Sequence, residues 1–293
     1  MKTGKYAVAG LLTLVLAHSV LAADTGLETV PVTDGIYMIA GEGGNIGVFV
    51  GEDGTFMIDD QFAPVTDNIL DAVREVSGEA PRFLVNTHYH FDHTGGNENL
   101  GEGGAIIVAH DNVRKRLSVD QVSEVLGRTF EAQPDVALPV ITFDEGVTFH
   151  WNGDRVDVIH VPNGHTDGDA IVHFVGANVI HTGDLVFSAG YPFLDYGAGG
   201  SIDGMIAGAR KILAMTDTET RIIPGHGPVM EREKLTDYIA MLEASRDRVA
   251  ALKNEGKSLE EVLKTDPLAG HHDDWSWGMM TGEFWTRLVY NSL

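Results

Sequence analysis

From residue 29 onward the chain alternates apolar and polar positions in short runs. Residues 29–33, 36–40, 45–51 and 55–59 each carry the period-two pattern of a strand, and glycine-rich breaks at 41–44 and 52–54 separate them as in hairpins. The pattern then changes. Pro64 suits a first helical turn, and Ile69, Leu70, Val73 and Val76 recur at helical spacing, which predicts a helix over 64–76. Strands are predicted at 82–86 and 105–109, and helices at 110–117 and 119–130. The second half repeats the scheme, with strands at 140–143, 147–151, 155–160, 170–175, 178–181 and 221–223. A helix is predicted over 201–215, with Ile202, Met205, Ile206, Ala209 and Leu213 facing inward. Another runs over 231–254, and shorter ones fall near 259–263 and 282–293. Two like halves of strands and helices, with no Ser- or Pro-rich linker between them, predict an α/β fold of two stacked mixed sheets with outer helices, as a single domain over 23–293.

Residues 1–22 stand apart from this pattern. Lys2 and Lys5 precede an apolar run over 6–16, and Val20-Leu21-Ala22-Ala23 has the small residues of a cleavage site. This is the layout of a secretory signal peptide, and the run is too short to span a bilayer. The expectation is an exported protein, most simply periplasmic, with no stable membrane insertion after the leader is removed. The chain has no cysteine, so neither disulfides nor thiolate ligands enter. Its 20 basic and 43 acidic residues give a net charge of −23. Losing Lys2 and Lys5 leaves 18 basic residues against 43 acidic, or −25. Such a surface repels nucleic acid at long range, which leaves a small molecule as the expected partner and the oligomeric state open.

The chemistry concentrates in Thr87-His88-Tyr89-His90-Phe91-Asp92-His93-Thr94-Gly95-Gly96. His88 and His90 are two apart, so they share a face in an extended segment and can grip one ion. Asp92 and His93 lie past a bend and can face a second. Three later stretches each put a His or Asp on a glycine-flanked loop after a strand: Gly164-His165-Thr166, Thr182-Gly183-Asp184 and Pro224-Gly225-His226-Gly227. Strand-end loops over a rigid sheet can converge on one edge. His88, His90 and His165 then supply three imidazoles to one ion, Asp92, His93 and His226 three groups to another, and the two oxygens of Asp184 can bridge both. Imidazole and carboxylate suit two zinc ions, and iron or manganese also fits. Two ions about 3.5–4 Å apart can share a hydroxide and lower its pKa towards neutrality.

These motifs resemble the metallo-β-lactamase superfamily, whose His-X-His-X-Asp-His signature falls here on His88 to His93. The resemblance covers about residues 30–230 and implies a four-layer αβ/βα sandwich with a di-metal site at one edge. It also implies that Asp59 is a buried aspartate bracing the histidine loop. Where one lactamase subclass has a cysteine ligand, this chain has Asp184, which resembles the glyoxalase II and lactonase branches; the His-His-His and Asp-His-His sets also resemble another lactamase subclass. The expected activity is that of an exported di-metal hydrolase, using a metal-bound hydroxide on a β-lactam, lactone, thioester or ester. Asp92 and Asp184 are its candidate catalytic carboxylates, with leaving-group protonation through water or Asp92. Two other readings stand beside it: a mononuclear iron enzyme acting on persulfides, keeping His88, His165 and Asp184, or a metal-binding protein without turnover.

Outside the ligand set, the aromatics of residues 188–197 are candidates for a pocket wall or for buried anchors of their loop. His271 and His272 read as a surface or packing turn. His110, His150, His160, His173 and His181 read as structural, with His181 placed to brace the Asp184 loop from behind.

Overall fold

The computed structural model describes residues 26–293. The expected leader, residues 1–22, lies outside the described residues.

The strands in chain order are β1 (Glu28–Thr33), β2 (Ile36–Ala40), β3 (Ile46–Phe49), β4 (Thr55–Ile58), β5 (Pro81–Val85), β6 (Ile106–His110), β7 (Gln121–Ser123), β8 (Arg128–Phe130), β9 (Ile141–Phe143), β10 (Gly146–Trp151), β11 (Asp154–His160), β12 (Ala170–Phe174), β13 (Val179–His181) and β14 (Arg221–Ile223). The α-helices are α1 (Thr66–Ser77), α2 (Phe91–Thr94), α3 (Asn97–Glu102), α4 (Asp111–Leu117), α5 (Ile202–Met215), α6 (Arg232–Asn254), α7 (Leu259–Thr265), α8 (His272–Trp275) and α9 (Gly282–Ser292). One sheet has the order β1-β2-β3-β4-β5-β6-β9, antiparallel as far as β4 and parallel beyond it. The other runs β10-β11-β12-β13-β14, with only the last pair parallel.

Side-chain alternation stacks the layers. In β4, Phe56 and Ile58 point into the core between the sheets, and Met57 points to the core shared with α1, where Ile69 and Val73 meet it. In β12, Val172 faces the same inter-sheet core, and Ile171 faces outward onto α5 and α6. Strands covered on both faces in this way read as continuous apolar runs. The result is the expected αβ/βα sandwich.

One expectation is corrected and two are refined. Residues 119–130 are not helical: they form the β7–β8 hairpin, with Gln121 opposite Phe130 and Ser123 opposite Arg128. Val119, Val122, Val125 and Leu126 have helical spacing, but Val119, Val122 and Leu126 are 54%, 73% and 37% exposed and only Val125 of the four packs against a core. Gly127, at φ +60°, supplies the left-handed residue that the turn needs. On α5 the expected face packs inward, with Leu213 half-buried against the core and Ile212 fully buried beside it. Of the three aromatics in the 188–197 loop, Tyr191 is fully buried against Trp285 and Tyr196 bonds Asn291, so only Phe193 reaches the site.

Candidate metal centre

The ligand candidates sit in the loops after β5, β11, β13 and β14, all on one edge of the sandwich, and the bracing Asp59 follows β4. His90 forms the N-terminal boundary of α2, whose single turn carries Asp92 and His93. His165 sits in the β11–β12 loop, and Asp169 holds that loop by accepting from His165 N (2.6 Å), Thr166 N and Thr166 Oγ1 (2.6 Å). Burial pushes the Asp169 carboxyl up to about 7 against these bonds. His181 supports the next loop, as its Nδ1 accepts from Gly183 N and its Nε2 donates to Asn45 O.

The four loops bring the seven residues together in two sets. His88 Nε2 and His165 Nε2 lie 3.1 and 2.8 Å from His90 Nδ1, with Asp184 completing that set. Asp92 Oδ2 lies 3.3 Å from His226 Nε2 and 3.6 Å from His93 Nε2. Asp184 faces both sets, with Oδ1 3.1 Å from His93 Nε2 and Oδ2 3.5 Å from His165 Nε2. Close approach is built into the backbone here. A Cβ on Gly225 would fall 2.0 Å from Asp184 Oδ1, and one on Gly44 would fall 2.0 Å from the His93 ring.

The outward nitrogens are tied down. His93 Nδ1 bonds Asp59 Oδ2 at 2.8 Å, and Asp59 also accepts from Thr87 N and Thr87 Oγ1, both at 2.7 Å. Thr87 Oγ1 in turn accepts from His88 Nδ1 at 3.0 Å. His165 Nδ1 donates to Phe193 O at 2.8 Å. Holding one ring nitrogen on an acceptor fixes the tautomer and aims the other's lone pair inward, the usual support of a metal-binding imidazole. Asp59 takes the bracing place that the sequence suggested, and it does so at φ +58°, a strained value for a non-glycine residue.

Two supports were not legible in the chain. Asp195 Oδ2 accepts from His90 Nε2 at 3.0 Å and from Tyr89 OH at 2.7 Å, across 105 and 106 residues. Burial raises the Asp195 carboxyl, but these two bonds more than offset it and hold it far below the usual range. Nothing local marks either contact, because Asp195 stands among aromatics and glycines that read equally well as a loop.

The residues suit metal ions on the structure's own terms. His93 Nε2 and Asp184 Oδ1 are buried without a hydrogen-bond partner, although they lie 3.1 Å apart, and such orphaned atoms are rare unless something else satisfies them. The electrostatics divide between the two sets. On the Asp92 side, burial is overcome by Asp184, which holds His93 well above its usual value and His226 up at about 9, a positive charge that a cation there would replace. Burial drives His88 well down and His165 down to about 4, favouring the neutral ring that coordinates. Burial opposes the charge of Asp184, and the neighbouring His93 and His226 overcome it, so the carboxylate stays ionised. Asp167 and Asp169, the carboxylates of the His165 loop, are engaged elsewhere: Asp169 holds that loop, and Asp167 pairs with Arg116 through two 2.7 Å bonds. His272 bonds Asp266 at 2.7 Å, outside the centre.

Two histidine-carboxylate sets sharing one aspartate, on the edge of an αβ/βα sandwich, define a metal-dependent hydrolase. The chain belongs to the metallo-beta-lactamase superfamily, whose sequence model matches residues 39–230. It is 26% identical over 187 residues to a hydroxyacylglutathione hydrolase of Pelagibacter ubique, covering 64% of this chain and 67% of that one. It is 23% identical over 182 residues to an acyl-coenzyme A thioesterase of Bos taurus, covering 56% and 62%. The match spans about a third, 35%, of two other hydroxyacylglutathione hydrolases. A metallo-beta-lactamase from Pontibacter korlensis shares the fold, with a TM-score of 0.60 at 18% identity over 74% of this chain and 99% of that one.

Proposed function

We propose that the protein is an exported di-zinc hydrolase of small carbonyl substrates, with thioesters foremost among thioesters, esters, lactones and β-lactams. It acts as one folded unit from residue 23, with α6 to α9 included. His88, His90 and His165 would hold one ion, Asp92, His93 and His226 the other, and Asp184 would serve both.

The observation that carries this reading is the placement of Asp184. Its Oδ2 faces His165 and His88 Nε2 at 3.5 and 3.8 Å, and its Oδ1 faces His93 and His226 Nε2 at 3.1 and 3.5 Å. One oxygen per set is what a bridging carboxylate requires. Two cations close together repel strongly, and a fixed anion between them lowers that cost. When bound, such a pair would polarise a carbonyl and acidify water.

The chain's own groups account for the remaining work. Asp92, with a side chain 20% exposed at the pocket wall, takes the proton from the attacking water and returns it to the departing group. The water oxygen joins the acyl carbon, the bond from that carbon to sulfur or oxygen breaks, and the thiol or alcohol leaves with the proton. Asp59, Asp195 and the Phe193 carbonyl keep the imidazoles aimed throughout. Thioesters come first because both relatives' names describe removal of acyl groups, one of them as a thioesterase. The net charge of −23 argues against polyanionic substrates. Among the described residues no helix is long and apolar enough to cross a membrane.

Elemental analysis of the purified protein, with a panel of thioesters, esters, lactones and β-lactams, tests the proposal. Two zincs per chain and turnover of at least one class are expected. One iron per chain would favour the mononuclear iron enzyme acting on persulfides instead, and two metals with no turnover would favour a binding protein. Export is checked by the mass of the mature chain, which should begin after residue 22.

A further inference from the structure

A pocket of about 170 Å³ opens from the ligand cluster, with Asp92, Asp184 and His226 at its floor. No lysine, arginine, asparagine or glutamine lines it. Of its polar groups away from the floor, Tyr89 and His90 are spent on Asp195, which leaves the Ser123 hydroxyl. The rest of the wall is nearly all apolar. Phe187 and Phe193 come from the loop after Asp184, and the outer wall comes from two segments outside both large sheets.

One of these segments is the β7–β8 hairpin, which contributes Leu126 and Phe130. Phe130 stacks on Phe91 at 4.9 Å, and the Arg128 guanidinium covers both rings at 4.8 and 5.3 Å. The other is the turn bridged between Trp277 and Met280, which lies beyond the stretch matched by the superfamily model. Trp277 Nε1 donates to Tyr191 O at 2.9 Å, and its ring occupies space that a side chain at Gly190 would take, since a Cβ there would fall 2.1 Å from Trp277 Cδ1. Phe187 lies 6.3 Å from Trp277 and 4.9 Å from the His226 ring, so a row of aromatics leads from the turn to a ligand. Leu126, Trp277 and Met279 are 37%, 41% and 58% exposed although they are large and apolar. Such groups gathered from separate segments around one mouth mark a binding surface.

Resting on the hydrolase reading above, we propose that this pocket receives an uncharged apolar group of phenyl size, carried beside the scissile carbonyl. The hairpin and the Trp277–Met280 turn select for it. A comparable apolar cavity of about 150 Å³ is known to take a benzene ring. A charged arm would lose hydration against this wall and find no partner. Arg116 is held by Asp167, and Arg128 lies over its phenylalanines outside the lining. A substrate arm with two carboxylates, as in glutathione, is therefore disfavoured here.

The test uses the zinc-loaded full chain and paired thioesters. One pair varies the acyl arm, acetyl against phenylacetyl, on a common thiol. The other varies the thiol arm, methyl against benzyl, on a common acyl group. A succinyl thioester serves as the charged control. On one arm the phenyl-bearing substrate should show kcat/KM higher by about tenfold or more, with succinyl below acetyl. Trp277→Ala should pull that ratio back towards one, and so should Leu126→Ser, a change at an exposed position of the hairpin. Ratios near one on both arms, or ratios untouched by both variants, would overturn the proposal. Calorimetric binding of the uncleavable benzyl and methyl thioethers separates the two readings. If no thioester is cleaved, the hydrolase reading fails; the pocket assignment then survives only if benzyl still binds about tenfold tighter and Trp277→Ala abolishes the difference.

Discussion

Replacing Asp195 by Asn tests whether a carboxylate far from the histidine motif controls how that motif binds metal. The native Oδ2 accepts from His90 Nε2 at 3.0 Å and from Tyr89 OH at 2.7 Å, while Oδ1 accepts from Ala198 N at 3.1 Å. Asparagine can keep the Ala198 bond through its oxygen, so the loop should hold. Its NH2 group then faces His90 Nε2 and offers a donor where an acceptor is needed. His90 must turn away or move its proton to Nδ1, the nitrogen that faces His88 and His165. Either change spoils a ligand. Losing an acceptor behind a metal-binding imidazole lowers affinity about 10- to 100-fold, or roughly 1.4 to 2.8 kcal/mol. Zinc titration against a competing fluorescent chelator measures this directly. Tyr89→Phe is the control: it removes the other bond to Asp195 and leaves His90 held, so its loss should stay below about threefold. Asp195→Asn with wild-type zinc affinity and wild-type turnover would show that His90 needs no such support, and the reasoning would be wrong.

Asp184→Asn should lower zinc from two per chain towards one and cut kcat by about 100-fold or more, with the circular dichroism spectrum unchanged; two retained zincs with normal turnover would make Asp184 a bystander. Asp59→Ala leaves Thr87 N, Thr87 Oγ1 and His93 Nδ1 without a shared acceptor, so urea denaturation should show a loss of about 3 kcal/mol or more. Removing zinc with a chelator should lower the melting temperature, and adding zinc back should restore it, because an ion that binds only the folded state stabilises that state. His272→Ala should leave zinc stoichiometry unchanged, since its ring bonds Asp266 and packs beside Gly282 rather than joining the centre.

The cluster of candidate ligands was legible because each sits in a short motif whose meaning is local. A His-X-His pair shares a face wherever the backbone is extended, and a glycine-flanked histidine after a strand ends at a sheet edge whatever lies across from it. The strands were legible for the same reason, since alternation is a property of neighbouring residues. Residues 119–130 show the limit. Their apolar spacing fits a helix, but a helix needs a core along its whole stripe, and here only Val125 packs against one, while Ser123, Leu126 and Phe130 of a hairpin turned by Gly127 line the mouth of the pocket. Asp195 shows it again: its bond to His90 closes a gap of 105 residues, and no periodicity carries information over that distance. The same holds for Trp277, which reaches the site from a tail beyond the superfamily motifs. The residues alone determined which groups can bind metal. The tertiary structure decided which nitrogen of each ring faces inward and what walls the space beside it, because both depend on contacts between segments that only the folded sheets bring together.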